Sequence, residues 1–484
     1  MPDNHHKPSA APEALFSWLC LTAGMFIVSI VFYYRLDDGV ASLGVLNGTA
    51  WIWMISILVS VASLTVLLSR CRYSSALRSK DARLSLVLGL MVIAFVLGSA
   101  ELMVRFMTVS DSEGAFIGDL RLLPRSWPDL ARQRRNQWKQ YATDSGIFIF
   151  HNELGWTIAP NKKGIGPAGE SMFSSAEGAR APHEGIRFDT RTASVKIALL
   201  GDSYVFGSDV NYEETWGFKL QAEAGANAEV LNFGVPGYGI DQAYLRYLSA
   251  VKPLRPQIVI LGLISHDLIR TTMVYYAVGF PGAVAPAAKP RFTIRDGELK
   301  LVNIPLLSPE SLYDIRSIDD LPYIRYDRAY RPTEWQSHWY QLSFFLRFLV
   351  SWCYSCGLTA SPRDNDETVP LNRAILQSFV RDVIAEGSIP LIAFLPSFTD
   401  FRDAGNWAPR ASVPGLKTLE NIGVNFVDLT PCMQGIEEGK RFTAGWHYTT
   451  YANSVIATCL HAELSPYLSR SSAAPNRESV LFVP

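Results

Sequence analysis

Three long apolar runs lie within the first 104 positions of a 484-residue chain, and they constrain its fold more than any other feature. Residues 14–34 (ALFSWLCLTAGMFIVSIVFYY) and 50–69 (AWIWMISILVSVASLTVLLS) carry no charge. Residues 84–100 (LSLVLGLMVIAFVLGSA) form the third run, which continues past Glu101 to 104. A helix crosses a bilayer with roughly 20 apolar residues. The expectation is therefore three transmembrane helices, at about 14–34, 50–69 and 84–104. The first run also has the length of a cleaved signal peptide. Lys7 as the only clear positive charge ahead of it, and two further runs behind it, favour an anchor.

Charge sets the orientation. The link between the second and third runs holds Arg70, Arg72, Arg78, Lys80 and Arg83, whereas the first link sets Arg35 against Asp37 and Asp38. Positive loops stay cytoplasmic. This places a cytoplasmic tail at 1–13 and everything after the third span outside, as a periplasmic or extracellular carboxy-terminal part of an integral membrane protein. The formal net charge of −1 provides no basic footprint, so nucleic acid is excluded as a partner.

The six cysteines are Cys20, Cys71, Cys353, Cys356, Cys432 and Cys459. Cys353 and Cys356 have redox-motif spacing but sit in an aromatic, helical-looking stretch without thioredoxin-like context. They read as a structural disulfide or as two free core thiols. No second Cys/His pair is spaced to complete a zinc site, and no metal or organic cofactor is implied.

Beyond the third run, residues 105–194 read as a juxtamembrane arm followed by a small β segment. From 195 to about 470 the pattern becomes strand–helix alternation. Strand candidates are 195–200, 230–233, 258–264, 390–395 and 425–429, short apolar runs of the kind a sheet covered on both faces requires. The expectation is an α/β domain: a three-layer α/β/α, doubly wound parallel sheet of flavodoxin-like type with about five strands. Residues 270–340, rich in Pro, Tyr and Arg, interrupt the alternation as an insertion, either a lid or binding loop or a packed surface excursion. Residues 471–484 form a tail.

In open parallel sheets the active crevice lies past the carboxyl ends of the strands. Ser203, in LLGDSYVFGSDV, sits immediately past the first strand. GDSYVFGSDV, then LNFGVPGYGIDQAYLRY, then GLISHDL and finally WHYTTYANSVIA occur in that order over about 195–464. This set resembles the SGNH (GDSL-type) hydrolase superfamily, and within it the membrane-anchored bacterial members whose extracytoplasmic domain acts on acylated glycans. The resemblance implies Ser203 as nucleophile, with its own N–H as an oxyanion donor. It further implies Gly234 as a second N–H donor and His447 as general base. A serine hydroxyl is a weak nucleophile until an imidazole takes its proton, and the tetrahedral oxyanion needs preorganised donors.

Two positions depart from the family's pattern. The acid usually found three residues before the histidine is replaced by Ala444. A Ser–His dyad helped by a backbone carbonyl, or recruitment of Asp428 as the orienter of His447, are the alternatives. The family's oxyanion Asn is replaced in Ser265-His266-Asp267. His266 is either a substitute donor or a structural histidine, and Asp267 reads as a capping acid.

The activity implied is a serine esterase removing acyl (acetyl) groups from cell-envelope or exported carbohydrate. One alternative is an O-acyltransferase of the same fold, working with a membrane partner that exports acyl groups. Another is a degenerate domain that binds glycan or scaffolds an envelope assembly.

Overall fold

The computed structural model describes residues 80–468, apart from 112–113, 119, 145, 189–194, 281–287, 356–366 and 403–413. The expected spans at 14–34 and 50–69 lie outside the described residues. The described residues divide into two compact units, one formed by those between 80 and 125 with those between 333 and 355, the other by those between 126 and 332 with those between 367 and 468.

In the first unit the third apolar run lies within the helix Lys80–Met107, the one described helix long and apolar enough to cross a membrane. Leu90, Met91, Phe95, Leu102 and Phe106 are exposed along it. The charge that interrupts the run has a definite job. Glu101 accepts the Phe344 and Phe345 N–H groups at 3.0 and 2.9 Å and the Ser343 hydroxyl at 2.8 Å. It thereby caps the helix Phe344–Ser355, whose first N–H groups have no partner within their own helix. Val104, Ile117, Leu122 and Phe348 close a small apolar core around this junction.

The second unit is built on an eight-stranded sheet. Its strands are β1 (Lys163–Ile165), β2 (Ser171–Ser174), β3 (Arg180–Ala181), β4 (Val195–Leu200), β5 (Ala228–Asn232), β6 (Ile258–Leu263), β7 (Ile389–Phe394) and β8 (Val427–Asp428). The order across the sheet is β8-β7-β6-β4-β5-β3-β2-β1. From β8 to β5 all pairs are parallel. This is the doubly wound order expected, and each expected strand is found within a few residues of its expected position. The segment before β4 does more than precede the domain: β3, β2 and β1 add antiparallel to β5 and extend the sheet.

Alternation along the strands assigns the two faces. Ala198, Leu200, Leu261 and Phe394 point to one side. There they meet α3 (Ile240–Arg246), α5 (Thr368–Ala385) and α6 (Pro414–Ile422). Ile197, Leu199, Ile260 and Ala393 point to the other. There they meet α2 (Trp216–Ala224), α7 (Thr430–Gln434) and α8 (Thr450–Leu468). Part of the insertion forms a hairpin, Phe292–Arg295 with Glu298–Leu301. Its Phe292, Leu299 and Leu301 pack onto the first of these cores, so this part is a packed excursion rather than a free lid.

Cys432 of α7 and Cys459 of α8 form a disulfide across 27 residues of chain. Cys353 carries a free thiol, while Cys356 lies outside the described residues. Closing a loop of this length removes unfolded-state entropy worth about 3 kcal/mol. Replacing Cys432 by Ser should therefore lower the unfolding free energy of the second unit by about that amount. Chemical denaturation of wild type and variant, each with and without reductant, checks this; reductant should shift only the wild type.

Candidate active site

β4 ends at Leu200, and the chain turns through Gly201 and Asp202 into α1 (Ser203–Phe206). Asp202 caps that helix by accepting the Tyr204 N–H at 2.9 Å. This leaves Ser203 half-buried at the first helical position, past the strand end and at the β4/β6 switch point of the sheet. Asp202 is itself fully buried and is held by Arg270 at 3.3 Å. The same guanidinium nitrogen donates to the Tyr238 carbonyl at 3.0 Å and to Asp267. Arg270 closes α4 (Ser265–Arg270), the helix after β6. One cation thus ties together the loops that follow β4, β5 and β6. Asp267 also accepts the Ile264 N–H at 3.1 Å, the capping role expected of it. Burial, reinforced by the Asp202 charge, pushes its pKa well above the usual carboxylate range.

Gly234 follows β5. Its N–H, expected to face an oxyanion, donates instead to the Asn232 side chain at 3.0 Å. Asn232 in turn donates to the Val205 carbonyl at 2.8 Å. What the position demands is the absence of a side chain, because a Cβ there would lie 2.4 Å from the Phe206 nitrogen. His266 stands in the first turn of α4, edge-on to Phe280 with ring centroids 5.6 Å apart.

His447 sits in the loop before α8, which begins at Thr450. Its Nδ1 lies 2.8 Å from Oδ2 of Asp209. The acid that pairs with the histidine is therefore neither three residues before it nor Asp428. Asp428 ends β8 at the sheet edge, with β7 and β6 between it and β4, and accepts the Thr430 N–H at 2.9 Å. Asp209 belongs to the loop that follows Ser203, six residues after it. A carboxylate on Nδ1 places the ring proton there and leaves Nε2 as the acceptor, the tautomer a general base needs. The Ser203 hydroxyl makes no hydrogen bond among the described residues. Contacts of this kind often tighten only with substrate present.

The loop around Asp209 is held from several sides. Asp209 has φ 69°, a left-handed conformation that needs external support in a non-glycine residue. Arg180 of β3, fully buried, donates to the carbonyls of Phe206 (2.6 Å), Gly207 and Val210 (2.5 Å). Glu170 accepts the Asp209 N–H at 3.2 Å. Thr443 donates to Asp209 Oδ2 at 2.7 Å. Burial pushes the Asp209 pKa up. The hydrogen bond and charge of His447, with the Thr443 hydroxyl, outweigh burial and leave it below the usual value.

The loop that carries His447 is fastened to the Ser203 turn. Tyr204, next to Ser203, donates its hydroxyl to the Trp446 carbonyl at 2.7 Å, and its ring packs on His447 with centroids 5.2 Å apart. Burial raises the Tyr204 pKa, which keeps the phenol protonated for that bond. Tyr448 donates to the Pro396 carbonyl past β7 at 2.8 Å. Ser203 is thus followed in sequence by Tyr204 and, six residues on, by Asp209, both of which touch His447. Among the described residues, no group of three or more His, Cys, Asp or Glu side chains is placed to hold a metal ion.

No family model matches the sequence, and no curated protein matches it. Solved structures similar to it include a lipase/acylhydrolase from Enterococcus faecalis, at 13% identity over 56% of this chain and 96% of that one, with a TM-score of 0.30. A catalytic mutant of an acetylxylan esterase from Geobacillus stearothermophilus is similar at 12% identity over 57% and 95%, with a TM-score of 0.30. A GDSL-like lipase from Bacteroides thetaiotaomicron is similar at 9% identity over 58% and 100%, with a TM-score of 0.28.

Two expectations follow from the Asp209–His447 pair. A Cβ on Gly445 would lie 2.2 Å from Asp209 Oδ2, so Gly445→Ala must displace the carboxylate. Labelling of Ser203 by a fluorophosphonate should slow by about 10- to 1,000-fold, less than the roughly 10⁴-fold loss when such an acid is removed outright, because the carboxylate is displaced and not deleted. The second concerns pH. The native pKa of Asp209 lies below its unfolded value, so its stabilisation is complete above the unfolded pKa of about 3.9 and is lost as pH falls through the native value. The melting-temperature advantage of wild type over Asp209→Asn should be full at neutral pH and shrink below about pH 4.

Proposed function

We propose that this chain is a serine ester hydrolase of the SGNH type, membrane-anchored, that removes acyl groups from carbohydrate on the outer side of the cytoplasmic membrane. The observation that carries the proposal is the 2.8 Å contact between Asp209 and His447 beside the Ser203 turn. It supplies the orienting acid whose apparent loss at Ala444 argued for a degenerate binding domain.

In this reading His447 Nε2 takes the Ser203 proton as Oγ attacks the acyl carbon. The N–H of Ser203 itself, at the start of α1, is the backbone donor to the oxyanion. The tetrahedral intermediate collapses, the carbon–oxygen bond to the alcohol breaks, and the departing oxygen takes the proton from His447. Water then repeats the sequence on the acyl-enzyme and restores the serine. Asp209 stabilises the imidazolium formed in each half.

Two features support a site outside the membrane. Disulfides such as Cys432–Cys459 form and persist in oxidising compartments. The basic link at 70–83 favours a cytoplasmic side before the helix Lys80–Met107 and the opposite side after it. The apolar surface of that helix supports the anchor.

The test is p-nitrophenyl acetate hydrolysis by the full chain in detergent. Ser203→Ala and His447→Ala should each lower kcat by at least about 10³-fold, and Asp209→Asn by about 10²- to 10⁴-fold. Asp428→Asn should retain most of the wild-type rate. Hydrolysis unaffected by the Ser203 and His447 changes would refute the proposal.

A further inference from the structure

One residue before His447 the chain makes an unusual choice. Trp446 has φ 75°, a region a bulky side chain enters at a cost, and its indole is 48% exposed. Several contacts impose that conformation. The Trp446 carbonyl is held by the Tyr204 hydroxyl at 2.7 Å, and its N–H donates to the Thr443 carbonyl at 3.0 Å. Thr443 donates its own N–H to the His447 carbonyl at 2.8 Å, closing the loop. The indole is braced by Phe398, with ring centroids 4.3 Å apart and planes inclined by 57°. Phe398 in turn donates its N–H to Tyr204 at 3.1 Å. A glycine there would relieve the strain and leave less apolar surface in water, so this half-exposed indole comes at a cost to folding.

The reaction chemistry says what this side of the site must hold. The oxygen that leaves the acyl carbon receives its proton from His447. The alcohol half of the ester is therefore bound on the imidazole side and not on the acyl side. We infer that Trp446, braced by Phe398, is the subsite for that alcohol, and that the alcohol is a pyranoside ring whose flat C–H face lies on the indole. A sugar ring fits because it offers an apolar face to the exposed indole while its rim of hydroxyls stays in reach of polar groups. The inference rests on the serine-hydrolase reading and assigns the substrate class of that site.

The experiment compares two acetates with leaving groups of different size, using the full chain in detergent. One is methyl tetra-O-acetylglucopyranoside, which carries an acetyl at every hydroxyl; the other is ethyl acetate. The variant is Trp446→Gly, with Trp446→Asn as a second because both residues tolerate positive φ and should fold. Both should melt within a few degrees of wild type. The ratio of kcat/KM for the sugar ester to that for ethyl acetate should fall at least tenfold in each variant, which corresponds to about 1.4 kcal/mol of binding to the leaving group. Trp446→Phe should restore much of the ratio. An unchanged ratio in folded variants would overturn the subsite while leaving the hydrolase intact. Absence of Ser203-dependent turnover of either ester by wild type would remove the hydrolase reading, and the subsite with it.

Discussion

The contact between Asp209 and His447 is the interaction on which the rest of the site's arrangement depends. A carboxylate with a left-handed backbone on a short loop after α1 does not stay in place unaided. Arg180 gathers the carbonyls on either side of it, Glu170 takes its N–H, and Thr443 shares its oxygen. The absence of a side chain at Gly445 lets the two loops approach. Each of these residues looks unremarkable alone; together they hold an acid within 2.8 Å of an imidazole.

The supports come from a part of the chain that looks peripheral. β1, β2 and β3 are short and carry polar residues, yet they extend the sheet past β5 with antiparallel pairing. Glu170 precedes β2 and Arg180 opens β3. The edge strands therefore do two things. They cover the open edge of β5, and they bring a buried guanidinium and a buried carboxylate to the loop after Ser203. On the far side, Arg270 does comparable work for Asp202 by joining the loops after β4, β5 and β6.

The central strands were readable because a strand buried on both faces has to be a short unbroken apolar run, and VKIALL and IVILGL are such runs. The antiparallel extension was legible only as a small β segment: β3 is two residues long, too short for any periodicity. Ser203 and His447 stood out through motifs. Asp209 lay in the quoted GDSYVFGSDV stretch, but its role depends on a partner 238 residues away, and spacing does not carry that information. The available signal was indirect: Thr443 and Gly445, a small donor and a residue with no side chain, flank the Ala444 vacancy and leave room for an acid from elsewhere. The disulfide was hidden for a similar reason, since Cys432 and Cys459 sit in unrelated apolar helices and pairing is not a property of sequence spacing.

Placing the acid on the serine's loop, and not on the histidine's arm, alters how such a site is assembled. With an acid three residues from the histidine, the imidazole–carboxylate pair would be a local feature of one arm, formed before that arm docks. Here Ser203 and Asp209 share one continuous turn, and His447 arrives alone. The whole constellation then reduces to a single long-range closure. Extending such a closure costs little, about 0.6 kcal/mol for each doubling of length. The electrostatic attraction is realised only when the two segments meet, so it acts as cohesion between distant parts of the chain.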